Sequence, residues 1–175
     1  MREQRFTIKA KRQRGLTLME LLITVVILSI GLLGLAGLQF HSLRGNQNAY
    51  MSSIATAQVW DAADRLRANL AGAQGTHYHN LIVNGVEDPG CISDGCTPEN
   101  LAKYDAHVWH GKNAQLLPGG QGVICLDSTP NDGASQAGHA CDGAQTAGMD
   151  IYVAKVWWDD DRDPTTPLRR HVMSF

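Results

Sequence analysis

The stretch Arg14-Gly-Leu-Thr-Leu-Met-Glu20 runs directly into an apolar segment, Leu-Leu-Ile-Thr-Val-Val-Ile-Leu-Ser-Ile-Gly-Leu-Leu-Gly-Leu-Ala-Gly-Leu, which ends at Leu38. Between Leu16 and Leu38, the only ionisable side chain is that of Glu20. A helix of this length extends about 34 Å, and the hydrocarbon core of a bilayer is about 30 Å thick. The segment therefore predicts a membrane-spanning helix, in which a lone carboxylate is costly and indicates a function.

The residues that precede this helix are strongly basic. Residues 1–15 contain six basic side chains and one acidic side chain, whereas residues 16–175 contain nine basic and 16 acidic side chains. Because basic residues beside a span stay in the cytoplasm, the N-terminus is predicted to be cytoplasmic and the chain after Leu38 to face outward. The acidic balance of that outer part argues against direct binding of nucleic acid.

A helical period continues beyond the apolar segment. Apolar side chains recur at spacings of three and four at Met51, Ala55, Val59, Ala62, Leu66 and Leu70. This pattern is typical of a helix with one buried face. The sequence therefore predicts one helix from Leu16 to about Leu70, with Asn69 and Gly72 as stop signals.

A second helix is indicated at Thr97-Pro-Glu99, where an N-cap residue precedes a proline and an acidic residue in the first turn. Its predicted buried stripe consists of Leu101, Tyr104, Val108 and Leu116. Strands are predicted at Gly122–Asp127, Asp150–Trp158 and Leu168–Ser174, with a short one at Leu81–Val86. These elements predict an α+β fold in which a small antiparallel sheet packs on the long helix.

The four cysteines are Cys91, Cys96, Cys125 and Cys141, all on the outer side of the predicted span. An even number of cysteines in an oxidising compartment indicates disulfides. Three pairings are possible, and Cys91–Cys96 with Cys125–Cys141 is favoured because each of these bonds closes one loop. The spacing does not match common structural zinc sites.

The other polar clusters give weaker signals. The densest acidic cluster is Asp159, Asp160, Asp161 and Asp163, which indicates either a solvated turn or a calcium site, although it lacks the glycine and the twelfth-position glutamate of an EF-hand. His77 with His79, and His107 with His110, have no clear third ligand. We found no common catalytic or phosphate-binding motif. The sequence thus predicts a non-enzymatic protein without a cofactor.

The start of the chain resembles the class III signal of type IV prepilins. In that family a prepilin peptidase cuts after the glycine and methylates the amine of the next residue. The resemblance implies cleavage between Gly15 and Leu16, a position where most members have phenylalanine. It also implies that the carboxylate of Glu20 meets the α-amine at position 16 of a neighbouring subunit during assembly.

Further stretches are similar to the V-type minor pilins, or type IV pilus modification proteins: residues 30–39, 63–69 and 117–123, and Val156-Trp-Trp-Asp159. This resemblance implies the type IV pilin fold. Residues 1–15 would be a cleaved leader, residues 16–40 the membrane-spanning and filament-core half of the long helix, and residues 41–175 a globular domain outside the membrane.

The function implied is that of a minor pilin. It would reside in the inner membrane, join other minor pilins and the major pilin on the pilus assembly platform, and lie near the pilus tip, where it would meet a tip adhesin. Twitching motility and adhesion would depend on it. Two alternatives remain: a minor pseudopilin of type II secretion, and a membrane-anchored periplasmic module that binds calcium or sugar.

Overall fold

The computed structural model describes residue 15 and residues 17–82, 88–144 and 151–175. Residues 1–14 of the predicted leader, Leu16, most of the predicted strand Leu81–Val86 and the start of the predicted strand Asp150–Trp158 lie outside the described residues. The chain divides into two compact units, residues 1–45 and residues 46–175.

The first helix, α1, spans Leu18–Ala68 and contributes to both units. Its first turn begins at Thr17, whose carbonyl oxygen accepts hydrogen bonds from the N–H groups of Glu20 and Leu21. Among the described residues, α1 is the one helix long and apolar enough to cross a membrane, judged by length and composition. The predicted long apolar helix is confirmed.

In the second unit, the residues of α1 that are buried are Met51, Ala55, Gln58, Val59, Ala62, Ala63 and Leu66. This face confirms the helical period as far as Leu66, and α1 ends within two residues of the predicted end near Leu70, at the predicted stop residue Asn69. The predicted burial of Leu70 is wrong: Leu70 is 59% exposed and begins a separate short helix, α2 (Leu70–Gln74). Asn69 caps α2 with its side chain, and Gly72 lies inside α2 instead of ending a helix.

Two more helices follow, α3 (Cys91–Asp94) and α4 (Pro98–Leu116). The start of α4 is as predicted, since the Thr97 side chain accepts a hydrogen bond from the N–H of Asn100 at 3.2 Å. The predicted stripe Leu101, Tyr104, Val108 and Leu116 is wrong. The buried residues are instead Ala102, Asp105, Ala106, Trp109, His110 and Asn113. Small alanines permit close packing on this face, and its polar side chains include two that hydrogen-bond inside the unit.

The sheet has three antiparallel strands in the order β1 (Gln121–Leu126), β2 (Tyr152–Trp158) and β3 (Arg169–Ser174). One face of the sheet joins the core that contains α1, and the other forms a smaller cluster around Val123, Cys125 and Trp157. The three main predicted strands are confirmed, with ends shifted by one or two residues. A long helix packed on a small antiparallel sheet, with shorter helices, confirms the α+β prediction and is consistent with a pilin fold.

Residues 127–144, here called the cover loop, lie against the second face of the sheet. The loop is tied to β1 by the Cys125–Cys141 disulfide. It is tied to β2 by the ammonium of Lys155, which donates to the carbonyl of His139 at 2.9 Å. It also meets β3, because the guanidinium of Arg170 donates to the carbonyl of Asn131 at 2.9 Å. Both faces of the sheet are therefore covered.

Candidate processing and assembly segment

The candidate processing site lies just before α1. Gly15 is exposed and precedes the first helical residue, Leu18, by three positions, whereas Leu16 lies outside the described residues. Glu20 is exposed in the first turn of the helix. The candidate cleavage position and the lone carboxylate are therefore less than two helical turns apart along the chain.

Thr17 is a residue that the sequence reasoning missed. Its Oγ1 accepts a hydrogen bond from the N–H of Glu20 at 3.3 Å, which is the N-cap contact of a Thr-x-x-Glu capping box. A carboxylate in the first turn also interacts favourably with the helix dipole. Glu20 is thus placed to stabilise the start of its own helix. The signal was visible in the sequence as a threonine three residues before the glutamate.

The apolar surface of α1 in the first unit is open. Large apolar side chains between Leu18 and Leu38 are between 49% and 77% exposed. The hydroxyls of Thr24 and Ser29 donate to backbone carbonyls of the preceding turn, so they add no unsatisfied polar group to this surface. A continuous apolar surface of this kind requires lipid or other apolar helices around it.

The structure contains two disulfides, Cys91–Cys96 and Cys125–Cys141, with Cα–Cα distances of 5.1 Å and 6.2 Å. This is the pairing that the sequence favoured, because each of these bonds closes one loop. In the described part of the chain, one group places three potential metal ligands within 4.8 Å of one another, namely Cys125, Asp127 and Cys141. Because the two sulfurs of that group are bonded to each other, neither is a thiolate that could bind zinc.

The carboxylates of the acidic cluster, Asp159, Asp160, Asp161 and Asp163, all form hydrogen bonds within the second unit. Each accepts hydrogen bonds from a nearby group: Asp159 from the N–H of Arg162, Asp160 from the Arg169 side chain, Asp161 from the Thr166 hydroxyl and Asp163 from Thr165. The bonds from Thr165 lower the pKa of the Asp163 carboxyl. The bonds that Asp159, Asp161 and Asp163 accept from backbone N–H groups two or three residues later are those of Asx-type turns, and Asp160 forms an ion pair with Arg169.

One histidine of each predicted pair, His79 and His110, makes a structural hydrogen bond within the second unit. His79 accepts a hydrogen bond from the N–H of Leu126 on β1 at 3.0 Å. His110 is buried, and its Nε2 lies 3.0 Å from the carbonyl oxygen of Leu81. Burial lowers the pKa of His110. Each of these two imidazoles thus fastens a loop or strand within the second unit.

The N-terminal segment matches a family model. The model described as the prokaryotic N-terminal methylation motif matches residues 10–36, a stretch that includes Gly15, Leu16 and Glu20. Searches of curated proteins and of solved structures gave no match to the chain. The motif supports a prepilin- or pseudopilin-type protein that is anchored in a membrane, processed by a prepilin peptidase and assembled with other pilins. It supports a structural, non-enzymatic role.

Proposed function

We propose that the chain is a minor pilin, which helps to start assembly of a type IV pilus and is incorporated near its tip. The observation that carries this proposal is the methylation motif at residues 10–36, which coincides with an exposed apolar helix containing one carboxylate. Twitching motility and adhesion would depend on it through the pilus.

Glu20 is the proposed assembly residue. Cleavage after Gly15 would create an α-amine at Leu16, which methylation keeps basic. In the filament the carboxylate of Glu20 would pair with this amine of a neighbouring subunit. An opposite charge offsets part of the desolvation cost of a buried carboxylate, and it fixes the register of the two helices more than it adds stability.

The glycines of α1 support contact with other helices. A Cβ built on Gly31, Gly34 or Gly37 would meet nothing within 4 Å, so packing inside the described chain does not require these residues to be small. Glycines that weaken a helix but let backbones approach closely are typical of helix interfaces in membranes. This face of α1 is the proposed contact with neighbouring pilins.

The proposed organisation follows from these roles. Residues 1–15 are the cleaved cytoplasmic leader, residues 16–40 anchor the protein in the inner membrane and later enter the filament core, and residues 41–175 form the domain outside the membrane. The partners are the prepilin peptidase, other minor pilins, the major pilin, the assembly platform and a tip adhesin. After assembly, the protein would lie on the pilus at the cell surface.

The first test is the mass of the intact protein expressed with and without a prepilin peptidase. We expect the peptidase to produce a chain that begins at Leu16. Its mass should be about 14 Da above that of unmodified residues 16–175, because of one methyl group. A Gly15→Val variant expressed in the same way should remain uncut. An intact Met1 start in the presence of active peptidase would contradict the proposal.

The second test addresses Glu20. The variant Glu20→Ala should insert and be cleaved like the original protein but be largely absent from sheared pili, as measured by immunoblot. The matched control is Asp64→Ala, which removes an exposed carboxylate from the same helix, far from the apolar segment. Equal incorporation of Glu20→Ala and the control would refute the assembly role of Glu20.

A pseudopilin of type II secretion would carry the same motif, so the deletion phenotype must separate the two functions. Loss of pili and twitching with normal secretion supports the pilus. Loss of secretion with intact motility supports the pseudopilin. A membrane-anchored calcium- or sugar-binding module would leave both phenotypes intact and would not require cleavage after Gly15.

A further inference from the structure

Lys155 carries a buried amine that has no part in the proposed function. Its side chain leaves β2 and has no exposed surface, and the side chain of Asp127, at the start of the cover loop, is equally buried. Nζ of Lys155 lies 2.5 Å from Oδ2 of Asp127. A primary amine and a carboxyl group are the two reactants of an amide bond, and holding them in contact turns a bimolecular reaction into a much faster intramolecular one.

The contact between the amine and the carboxyl group is close, but it is not an aligned hydrogen bond. Oδ2 of Asp127 has no hydrogen-bond partner among the described residues, although Nζ lies beside it. Nζ instead donates to Oδ1 of Asp132 at 2.6 Å and to the carbonyl of His139 at 2.9 Å. These two bonds hold the nitrogen against the carboxyl group of Asp127.

The second oxygen of Asp127 is held by donors. Oδ1 accepts a hydrogen bond from the N–H of Thr129 at 3.0 Å, and the Thr129 hydroxyl lies 3.4 Å from it. Attack of an amine on Cγ places negative charge on the carboxyl oxygens. A backbone N–H that already points at one of them stabilises this charge without further rearrangement.

Asp132 is placed to move the protons. Its Oδ1 contacts Nζ of Lys155, and its Oδ2 accepts a hydrogen bond from the Thr129 hydroxyl at 2.7 Å. The hydroxyl of Thr129 therefore lies between the carboxylates of Asp132 and Asp127. A carboxylate in contact with the amine can take up its proton as a general base and return it to the departing oxygen as a general acid.

We propose that Lys155 and Asp127 condense into an intramolecular amide bond. A bond forms between Nζ and Cγ, the bond from Cγ to one carboxyl oxygen breaks, and that oxygen leaves as water with two of the three ammonium protons. The third proton stays on the amide nitrogen. No oxidant, reductant or cofactor is required, because one ammonium and one carboxylate become one neutral amide and one water molecule.

Burial favours the product over the ion pair. Two charges without water around them are costly, whereas a neutral amide needs only hydrogen-bond partners. The carbonyl of His139 and the N–H of Thr129 already supply these. The amide joins the cover loop to β2, beside the Cys125–Cys141 disulfide that joins it to β1.

The test is the intact mass of the full chain, purified in detergent micelles and reduced so that both disulfides are open. We expect a mass about 18 Da below that calculated from the sequence, because one water is lost. Trypsin should also fail to cut after Lys155, the one trypsin site between Lys112 and Arg162, and should release residues 113–162 as a single peptide. The full calculated mass, together with cleavage after Lys155, would overturn the proposal.

A succinimide at Asp132-Gly133 or Asp142-Gly143 would also lose one water, so the position of the loss must be established. The loss should be absent from Lys155→Met and present in Lys103→Met, which changes a surface lysine. Persistence of the loss in Lys155→Met would overturn the proposal.

A second criterion does not depend on a variant that can unfold. Chymotrypsin cuts residues 113–162 after Tyr152, which separates Asp127 from Lys155 in the sequence. The two fragments should remain joined, and tandem mass spectrometry should place the link between these two side chains. Separate fragments would overturn the proposal.

The role of Asp132 has its own test. Asp132→Asn should lower the amidated fraction, measured at a fixed time after synthesis, at least about tenfold. Asp142→Asn, which changes a cover-loop carboxylate that bonds Ser128, should not. Equal fractions in both variants would overturn the role of Asp132 as proton carrier. The inference does not depend on pilus assembly, so either can fail alone.

Discussion

Lys155 and Asp127 form an ion pair in which both side chains are fully buried, with 2.5 Å between Nζ and Oδ2. The ammonium also contacts the carboxylate of Asp132 at 2.6 Å and the carbonyl of His139 at 2.9 Å. Lys155 lies in the middle of β2, and Asp127, Asp132 and His139 belong to the cover loop, which begins where β1 ends. One ammonium group therefore holds the cover loop against the sheet.

Replacing Lys155 by methionine should destabilise the second unit strongly. The aliphatic part is kept, but Asp127 is left as a buried charge without compensation, a change that costs about 3–5 kcal/mol. Denaturant unfolding of the full chain in detergent, followed by far-UV circular dichroism, measures the loss. Lys103→Met is the matched control, because Lys103 pairs with Glu99 on the surface.

Adding Asp127→Asn to Lys155→Met should recover part of the lost stability, since the unpaired charge is then absent. If the single variant unfolded at the same denaturant concentration as Lys103→Met, the ion pair would have no structural role.

Tyr78 is the centre of a second buried network. Its hydroxyl donates to Asp105 at 2.6 Å and accepts from Asn69 at 3.2 Å, and Asp105 also pairs with Arg65 at 2.9 Å. Tyr78→Phe should cost about 1–3 kcal/mol, because one oxygen of a buried carboxylate loses its donor. Tyr50→Phe, at an exposed position of α1, should change the unfolding midpoint little.

The same network predicts a loss of stability in alkali. Burial, together with the hydrogen bond to Asp105, raises the pKa of Tyr78 above its ordinary value. The contribution of Tyr78 is complete below the unfolded pKa of about 10, and it is lost as the pH rises above that value, because the unfolded chain ionises first. Between pH 8 and pH 11, the unfolding free energy should fall less in Tyr78→Phe than in the original protein. An equal fall in both would disprove this assignment.

His110 predicts a loss of stability in mild acid. Burial lowers the pKa of its imidazole, even though the carbonyl of Leu81 favours the charged form. As the pH falls below about 6.5, the unfolded chain binds a proton that the folded protein resists, so stability decreases. Thermal unfolding at pH 7.5 and pH 5 should show a smaller decrease in His110→Gln. His41→Gln, at an exposed position, is the control, and identical pH dependence in all three proteins would contradict the prediction.

Sequence patterns identified α1 and the strands because their signals are local. The apolar segment, the spacing of three and four after Met51 and the β-branched run in β2 each depend on neighbouring residues. The buried face of α4 was not predictable in this way. Asp105 is buried because Arg65, 40 positions earlier, supplies a partner, and such pairing is invisible to a count of apolar residues.

In the candidate site, too, the features that depend on neighbouring residues could be found in the sequence. Gly15 and the role of Glu20 could be predicted from the resemblance to prepilin signals, and the capping role of Thr17 could have been predicted from the Thr-x-x-Glu pattern. Outside this site, the burial of Lys155 could not be predicted, because a lysine in the strongest strand suggests an exposed position. Its burial depends on Asp127 and on the cover loop folding back over β2.

The two disulfides should contribute unequally. Cys125 and Cys141 are 16 positions apart, whereas Cys91 and Cys96 are five apart. Loop closure in the unfolded chain then predicts about 3 kcal/mol for the first bond and about 2 kcal/mol for the second. Paired cysteine-to-alanine variants of each bond, unfolded by denaturant under non-reducing conditions, measure the difference.

Hydrogen exchange should locate the structural effect of each bond. The Cys125–Cys141 bond joins β1 to the cover loop, so its removal should speed amide exchange within residues 128–144 while α4 stays protected. Removal of Cys91–Cys96 should affect the residues around α3 and leave the cover loop unchanged. If both variants exchanged the cover loop at the original rate, Lys155 and its carboxylate partners would be sufficient to hold it, and the disulfide would act only on the unfolded chain.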